Sequence, residues 1–510
     1  MTGGFGVVAA LAALRVALPS WVRPAAHMLC QGPHGRLHGG LFAVGLILLA
    51  HGLLRRRKVA YWVALLLAGC GILVAGHSIL ALVLVGCGVL LTVRRAEFPA
   101  VPSLGRMRIA AYAGLIVLGT GTFYDGVIQR HDELRVDLGS LVLLSVSVAL
   151  VVLLAPAAPP PPADGFTRAR VRELVQHPAS DTLAPFVLRH DKAYVFSPDG
   201  RAAVGYRVLL GTAVVGGDPV GDPESFQSAV DTFVATCDRA GWRVSVLAVR
   251  GDLEHLWRRH GLRTVGIGDE VVLPVDGFDL SGRAMRNVRQ AVQRTHNMGV
   301  TTRIVREGDL PGSLRAELAA VSSRWLNGSR ERGFSMILDG MLAGTHPDCL
   351  LVIAYDGSGR VVGFQRYARC GQALSLDTMR RDRNGPNGLN ERMIVDLVTY
   401  ARAHGISLVS LNFAAFRTLI DAGATRGPVE KAGYKALHLL DPFIQVESLY
   451  LFNAKFRPSF VPRGVAFPSL VSLPVVAMAM VGMEFGLGYD RHRPPEPEIP
   501  SYLPVMHPIR

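Results

Sequence analysis

Charged and amide side chains are concentrated between Ser375 and Glu391, in the sequence SLDTMRRDRNGPNGLNE, where an apolar run gives way to a helical pattern. Asp377 could orient or deprotonate a hydroxyl, with Arg380 holding it ionised, and such general-base help contributes about 10²–10⁴ in rate. Lys455 or Arg380 could stabilise an oxyanion or bind a phosphate. The alternative is that Asp377 and Arg380 form a surface ion pair worth about 0–1 kcal/mol, and that Lys455 is a solvated helical residue.

The beginning of the helix after this stretch is a candidate anion site. The pattern GLNERMIVDLVTYARAHG predicts a helix from Gly388 onward. Free backbone N–H groups at a helix N-terminus, flanked here by arginines, attract negative charge. Asn387, Asn390 and Glu391 form its polar beginning and are candidate substrate-binding residues, together with Asn412. For the two asparagines near the helix start, a role as helix caps is equally open.

The chain as a whole is both apolar and basic. Its 510 residues are 50% hydrophobic, with a mean hydropathy of +0.30 and a formal net charge of +14, a combination typical of a membrane protein that contacts polyanions. The six cysteines include no CxxC pair, so neither a zinc site nor a disulfide framework is indicated. We predict reduced and mostly buried thiols.

The first 155 residues predict a transmembrane helical domain of five or six spans. Apolar runs close to the roughly 20 residues needed to cross a bilayer core lie at 37–54, 59–76, 79–93, 109–123 and 138–155. A further span or an interfacial helix could lie at 5–18. Basic loops after the first and third runs belong in the cytoplasm. We therefore predict a multi-pass protein of the bacterial plasma membrane, in which a Pro-rich linker at 156–164 leads into a cytoplasmic domain. The spans could equally be an anchor with no chemistry of their own.

The predicted cytoplasmic part contains a weak internal repeat. Three pairs of segments occur in the same order: GRAAVGYRV with GRVVGFQRY, CDRAGWRVSVLAV with YARAHGISLVSLNF, and WRRHGLRTVG with VEKAGYKALH. Each half therefore predicts a strand hairpin, a long helix, a strand, a short helix and a closing strand. We place the first half at 165–280 and the second at 281–463, followed by an apolar and then Pro-rich tail at 464–510.

This element order, ending in EKAGY, resembles the acyltransferase fold of the GNAT superfamily used twice. In that fold a central pair of strands splays apart around the acyl donor. The predicted fold class is thus a membrane α-helical N-terminal domain plus an α/β (α+β) tandem GNAT-like domain. GDPVGDP, RNVRQAVQR, DTMRR before PNGLNE, and YLFNAKFRPSFVPR also resemble the cytosolic synthase domain of the multiple peptide resistance factor family. These are the aminoacyl-phosphatidylglycerol synthases, most closely their actinobacterial branch.

The resemblance covers roughly residues 166–463 and implies aminoacyl-tRNA as donor and phosphatidylglycerol as acceptor. Lysine or alanine would move onto the lipid headgroup and make the membrane less anionic. The family's D-x-x-R pair falls on Asp377 and Arg380, and its K-F-x-P lysine falls on Lys455. Exchange of one ester for another demands neither a metal nor a cofactor. The membrane part is shorter than the family's and no lysyl-tRNA synthetase is fused, so we expect neither lipid translocation nor tRNA charging.

A basic segment fits such polyanionic partners. Between Arg283 and Arg306 there are six arginines and no acidic residue. An apolar stripe at helical spacing consists of Met285, Val288, Ala291 and Val292. The candidate contacts to tRNA or lipid phosphates are Arg283, Arg286, Arg289 and Arg294. At about 1 kcal/mol per basic residue near an anionic surface, these four contribute about 4 kcal/mol. The alternative is a solvated helix packed on its own domain.

Two other functions stay open. One is an acyl-coenzyme A N-acyltransferase with a degenerate pyrophosphate loop, since RNGPNG departs from the RxxGxG spacing of ordinary members. The other is a non-catalytic module that binds lipid or tRNA. The sequence leaves homo-oligomerisation open.

Overall fold

The structure is a computed structural model that describes residues 35–54, 57–75, 79–95, 98, 106–116, 138–328, 337–415 and 451–484. Contacts divide the chain into two compact units. The first comprises Met1–Ala158 and Ala235–Arg243, and the second comprises Pro159–Val234 and Val244–Arg510. Three predicted features lie outside the described residues: the segment 5–18, the repeat element VEKAGYKALH and the Pro-rich end of the tail.

Helices form at each of the five predicted apolar runs in the first unit. They are α1 (Gly35–Leu54), α2 (Lys58–Ala75), α3 (Ile79–Val93), α4 (residues 106–116) and α5 (Leu138–Leu154). Leucine and alanine side chains of α1, α2 and α5 pack together into a small core. Among the described residues, no helix combines the length and the hydropathy that crossing a bilayer requires. The predicted transmembrane spans are therefore not confirmed.

The remaining elements follow the predicted order, except that the short helix predicted for the second half lies outside the described residues. In the first half they are α6 (Gly165–Val175), β1 (Ala193–Phe196), β2 (Ala202–Leu209), β3 (Thr212–Gly216), β4 (Val220–Gly221), α7 (Phe226–Ala240), β5 (Arg243–Arg250), α8 (Glu254–Arg258) and β6 (Arg263–Pro274). In the second half they are α9 (Arg286–Asn297), β7 (Thr301–Arg306), α10 (Gly312–Leu326), β8 (Leu350–Tyr355), β9 (Val361–Cys370), β10 (Ala373–Arg381), α11 (Leu389–Ala403), β11 (Leu408–Ala415), β12 (Ser459–Phe467) and α12 (Leu473–Glu484). Short 3₁₀ helices lie at Ala184–Leu188, Pro223–Ser225, Gly251–Leu253, Glu307–Asp309 and Leu470–Ser472.

One 12-stranded sheet runs through both halves, in the order β1-β2-β3-β5-β12-β6-β11-β10-β9-β8-β7, with β4 paired to β2. The closing strand of the first half, β6, pairs with β11 of the second half. The closing strand of the second half, β12, pairs with β5 of the first half and with β6. The halves thus exchange their closing strands. The predicted boundary between the two halves, near residue 280, stays a prediction.

The internal repeat is visible in the backbone. The aligned glycines of CDRAGWRVSVLAV and YARAHGISLVSLNF, Gly241 and Gly405, have φ of 65° and 67°. The aligned residues Ala248 and Asn412 have φ of 66° and 71°, which is uncommon for residues with a Cβ. Each lies where the pairing register of its strand shifts. The two halves therefore share the same irregularity at the same strand position.

The two faces of the second half pack against different helices. On one face, leucines of β10 pack with Val288 of α9 and with Met393 and Leu397 of α11. On the other face, Phe364 of β9 packs with Leu318 of α10. We call these the α11 face and the α10 face. The four cysteines whose side chains are described are free, and three of them, Cys237, Cys349 and Cys370, are buried while Cys87 is half-buried, in agreement with the prediction of mostly buried thiols.

Candidate functional site

A gap opens between two parallel strands at the centre of the second half. β10 and β11 pair only from Ala373 with Leu408 to Ser375 with Ser410. Beyond that point β10 pairs with β9, and β11 pairs with β6. The side-chain amide of Asn412 donates to the Leu376 carbonyl oxygen at 2.8 Å, at the start of the gap. The predicted splayed strand is therefore present, and Asn412 lies at its opening.

A β-bulge places the predicted Asp–Arg pair on one side of β10. Two residues three apart on a regular strand point to opposite faces. Here the pairing with β9 shifts between Leu376 and Thr378, so the bulge brings Asp377 and Arg380 to the same face. Arg380 lies opposite Phe364 in register, which makes this the α10 face. The D-x-x-R spacing thus depends on the bulge.

The ion-pair partner of Asp377 is Arg366, a residue that sequence reasoning missed. Arg366 Nη1 donates to Asp377 Oδ2 at 2.8 Å, and its Nε donates to Glu307 Oε2 at 2.6 Å. All three side chains are fully buried. Arg380 donates to the Met379 carbonyl oxygen at 3.3 Å. The predicted Asp377–Arg380 pair, and with it the alternative of a surface ion pair, is replaced by this buried triad.

Asp377 also holds the segment 337–349 in place. Its Oδ1 accepts a hydrogen bond from the Leu338 amide at 2.6 Å. In the same segment, Asp339 pairs with His190 and lies 3.4 Å from His346. Burial and the nearby Arg366 guanidinium lower the pKa of His346 to about 4. His346 is therefore neutral at physiological pH, and the triad carries two carboxylates against one guanidinium.

Three buried polar atoms, two of them in the triad, have no hydrogen-bond partner among the described residues. They are Glu307 Oε1, Arg366 Nη2 and Ser375 Oγ. An unsatisfied buried polar atom costs about 1–3 kcal/mol, so such atoms normally bind ordered water or a polar ligand group. Acceptor and donor functions are thus both available on the α10 face.

Lys455 lies on the α11 face, where it pairs with Glu391. Its Nζ is 2.7 Å from Glu391 Oε1 and 4.4 Å from the centroid of the Phe452 ring. Phe452 and Phe456 pack into the core beneath α11. The lysine side chain keeps 28% of its surface exposed, so its ammonium can reach a ligand. The structure brings Lys455 and Glu391 together and places Asp377 and Arg380 on the opposite face of the sheet.

The predicted helix caps are wrong. The N-cap residue before α11 is Gly388, which has φ of 100° and makes no side-chain cap hydrogen bond. A Cβ at Gly388 would lie 2.9 Å from the carbonyl oxygen of Ala291, so close packing against α9 requires glycine here. Asn387 is exposed in the preceding turn. Asn390 lies in the first turn, where its carbonyl oxygen accepts from Gln365 at 3.2 Å and its Oδ1 is buried without a partner among the described residues.

The central part of the basic segment forms α9, and most of its apolar stripe is buried. Met285, Val288 and Ala291 pack into the protein core, so the stripe is not available to a bilayer. The four candidate phosphate contacts, Arg283, Arg286, Arg289 and Arg294, are exposed. Arg289 also donates to the Gly282 carbonyl oxygen at 3.2 Å. The helix is thus packed on its own domain, and its charged side faces solvent.

A second buried charge cluster, also missed from the sequence, joins the exchanged strands. Arg463 of β12 is buried and binds Asp181 through two bonds of 2.6 and 2.8 Å. It also contacts Asp218 at 3.1 Å and pairs with Glu270 of β6. Glu270 Oε1 accepts from Ser410 at 2.5 Å. The cluster therefore connects the first half to the residue at which β10 and β11 part.

The carboxylates of this cluster are unequal. Burial raises the pKa of Asp218 to about 7, helped by the neighbouring Asp181 charge. Burial would also raise the pKa of Asp181, but the Arg463 guanidinium outweighs it and lowers that pKa. Burial raises the pKa of Glu270 against the effect of Arg463. The pKa values of Asp218 and Glu270 are thus raised in this cluster, while that of Asp181 is lowered.

The repeat contained a signal for one of the missed residues. Aligning GRAAVGYRV with GRVVGFQRY places Arg207 and Arg366 at the same strand position. Both are buried, and Arg207 pairs with Asp191 at 3.1 Å. An arginine repeated within two apolar strands predicts a buried ion pair, because a lone buried charge is too costly. Glu307 and Asp181 had no comparable signal.

Comparison with known proteins agrees with this fold. The family described as "Phosphatidylglycerol lysyltransferase, C-terminal" matches residues 171–467. The MprF-like domain protein Rv1619 of Mycobacterium tuberculosis is 41% identical over 324 residues, which are 62% of this chain and 66% of that protein. The lysylphosphatidylglycerol biosynthesis bifunctional protein LysX of Gordonia bronchialis is 40% identical over 60% of this chain and 27% of its own length. The chain thus spans about two thirds of one curated relative and about a quarter of the other.

Two solved structures share the fold of this chain over 62–64% of its length. A C-terminal domain (DUF2156) from Agrobacterium fabrum superposes with a TM-score of 0.56 at 22% identity, covering 64% of this chain and 99% of that one. L-PGS from Bacillus licheniformis gives a TM-score of 0.55 at 20% identity, covering 62% of this chain and 96% of that one. The predicted α/β fold of the C-terminal part and the predicted family resemblance are confirmed, and the relation to the GNAT superfamily stays a prediction. The chain therefore belongs to the family of phosphatidylglycerol lysyltransferase C-terminal domains.

Proposed function

We propose that this chain is a tRNA-dependent aminoacyltransferase. It moves an aminoacyl group, lysyl or alanyl, from aminoacyl-tRNA to the headgroup hydroxyl of phosphatidylglycerol. Family membership supports this, as do relatives named for lysylphosphatidylglycerol biosynthesis. The observation that carries the proposal is the gap between β10 and β11, which has Asp377 and Arg380 on one face and the Lys455–Glu391 pair on the other. Such a gap lets a donor and an acceptor approach one ester from opposite faces.

The reaction exchanges one ester for another, so the protein must supply orientation, proton transfer and charge stabilisation. Lys455 is placed to stabilise an oxyanion or to bind the lipid phosphate, since its ammonium is fixed by Glu391 yet still open to solvent. Arg380 on the opposite face is assigned to a phosphate of the other substrate. A preorganised charge of this kind is worth about 10²–10³ in rate.

We assign Asp377 the role of positioning the groups around the substrate. Both of its oxygens already accept hydrogen bonds, from Arg366 and from the Leu338 amide. A hydroxyl could be deprotonated by Asp377 only if one of these bonds opened. The unpartnered atoms beside it, Glu307 Oε1, Arg366 Nη2 and Ser375 Oγ, are candidates for the amine and the carbonyl of the aminoacyl group. Asp377 then acts by holding Arg366 and the segment 337–349 around that group.

The tRNA is assigned to the exposed side of α9. Its arginines face solvent while its apolar stripe is buried, which suits phosphate contacts at a protein surface. Each arginine that neutralises a phosphate steepens the dependence of affinity on salt. We further propose that the apolar helices of the first unit hold the protein at the cytoplasmic face of the bacterial plasma membrane. Such tethering would raise the effective concentration of the lipid.

The test is the lipid profile of a bacterial host with and without the full chain. Mass spectrometry of extracted lipids should show a new aminoacylated phosphatidylglycerol, and a cell-free reaction should lose it when RNase is added. The Lys455→Met variant is the matched negative control. A new lipid that persists with RNase and depends on acyl-coenzyme A would favour the N-acyltransferase alternative. An unchanged lipid profile would indicate a binding module.

A further inference from the structure

The surface around α12 is apolar on its solvent side. Ten large hydrophobic side chains of the second unit are exposed among the described residues, and five of them lie within 12 positions of one another. These five, called the apolar ridge below, are Leu470, Val471, Leu473, Met478 and Val481. No charged residue occurs from Gly464 to Met483. An uncharged apolar surface of this density marks a contact with a partner or a membrane.

The opposite side of α12 is already packed on the protein. Ala479 and Met483 pack against Val214 of β3, and Val476 packs against Phe467 of β12. A helix that is apolar on all sides is normally buried on all sides. One side of α12 is therefore buried against the protein, and its other side, the apolar ridge, is not covered by any described residue although its composition is that of a buried surface.

The turn at the tip of the ridge is suited to an apolar environment such as a bilayer. Val471 is 91% exposed in the short 3₁₀ turn before α12. The ends of this turn are closed by reciprocal bonds: the Ser472 amide donates to Ser469 Oγ, and the Ser469 amide donates to Ser472 Oγ, both at 3.3 Å. Backbone groups that enter a bilayer must be satisfied internally. The amides of Ser469 and Ser472 meet that requirement, and the two residues at the tip, Leu470 and Val471, present apolar side chains.

The charge beside the ridge favours an anionic surface. Phe467 at the end of β12 lies opposite Arg263 of β6 in register, and Arg263 is exposed. The chain runs from Phe467 directly into the ridge, so an arginine lies at its base. Arginines at the level of lipid headgroups attract anionic lipids. A second copy of this chain has a formal net charge of +14 and would repel the arginine at the base of the ridge. An anionic bilayer would attract it, so a bilayer interface is the better match for an apolar tip with a cationic base.

We propose that the apolar ridge inserts into the interface of a bilayer containing anionic lipid. The inference deepens the proposed function, because it names the surface through which the second unit meets its lipid substrate. It also places the exchanged strand β12, which carries the ridge at its end, next to the membrane.

The test is the environment of position 471 in the full chain. Val471→Trp is reconstituted into phosphatidylglycerol vesicles that contain brominated lipids, which quench tryptophan on contact. The control is Met298→Trp, a residue 59% exposed at the end of α9. We expect the added tryptophan at 471 to be quenched at least about twofold more than that at 298, because only the former enters the acyl region. Equal quenching at both positions would overturn the proposal, and so would quenching at 471 that appears only as protein is diluted into lipid, which indicates that a second copy covers the ridge.

A second measurement separates this inference from the proposed function. Val471→Asp should slow transfer to phosphatidylglycerol in vesicles by at least about tenfold, since a carboxylate resists insertion. Transfer to a short-chain phosphatidylglycerol dispersed in water should be unchanged. An equal loss with both lipids would overturn the inference. If the parent chain transferred nothing to either lipid, the proposed function would fail, while the quenching result would still decide the inference.

Discussion

Replacing Arg366 by methionine should destabilise the second unit strongly. Arg366 is the only cation among the three fully buried members of its triad, at 2.6 Å from Glu307 and 2.8 Å from Asp377. Methionine fills a similar volume but leaves two carboxylates facing each other without water. Removing one partner of a buried ion pair costs about 3–5 kcal/mol, which is a large part of the 5–15 kcal/mol typical of a domain.

The loss should depend on pH. In the variant, uptake of one proton by the two carboxylates relieves their repulsion, so the folded state binds more protons than the unfolded state. Stability then falls as pH rises, and the deficit relative to the parent chain should be larger at pH 8 than at pH 5.

Hydrogen exchange of β9 and β10 in the full chain measures this loss locally, since the slowest amides report the opening free energy of their own region. The matched control is Arg369→Met, an exposed arginine on the same strand. It should change protection by less than about 0.5 kcal/mol. A loss below about 1 kcal/mol for Arg366→Met, or the same loss at both pH values, would refute the assignment of a buried triad.

Three further substitutions test other parts of the site. Lys455→Met should lower aminoacyl transfer at least about tenfold but lower stability by less than about 1 kcal/mol, and exposed Arg457→Met is its control; equal effects of both on transfer would contradict a role for Lys455. Asn412→Ala should melt at a lower temperature than Asn412→Gly, because alanine retains the strain of φ 71° while both lose the bond to Leu376; the reverse order would contradict the geometry of the gap. Asp218 keeps its proton in the folded state up to a pKa of about 7, so its contribution makes unfolding easier as pH rises from 4 to 7. Asp218→Asn should flatten this decline in urea titrations, and an unchanged slope would count against the raised pKa of Asp218.

Much of the fold was predictable from the sequence because local patterns specify it. The apolar runs at 37–54 and 59–76 form α1 and α2, and the aligned segments of the repeat form equivalent strands. The gap was predictable because the resemblance to the GNAT fold implies a central pair of strands that splays apart. Exchange of β6 and β12 was not predictable, since an isolated closing strand satisfies the same hydrophobic pattern wherever it pairs.

The side-chain partners were harder to predict than the elements. Asp377 and Arg380 were predicted to act as a pair because they are close in sequence. The bulge in β10 and its register with β9 instead place Asp377 against Arg366. Asn387 and Asn390 matched the composition of a helix cap, but contact with α9 demanded a glycine at the cap position. Arg463 meets Asp181 across 282 residues of chain, a separation at which sequence spacing carries no information.

The most direct measurement follows label from tRNA to lipid. The purified full chain is incubated with lysyl-tRNA or alanyl-tRNA labelled in the amino acid and with phosphatidylglycerol vesicles, and the label in the lipid phase is counted over time. Aminoacyl transfer predicts that label enters phosphatidylglycerol without added ATP, and that Lys455→Met abolishes most of this transfer. Label that stays on tRNA with both amino acids, while the folded chain still binds tRNA and vesicles, would contradict it.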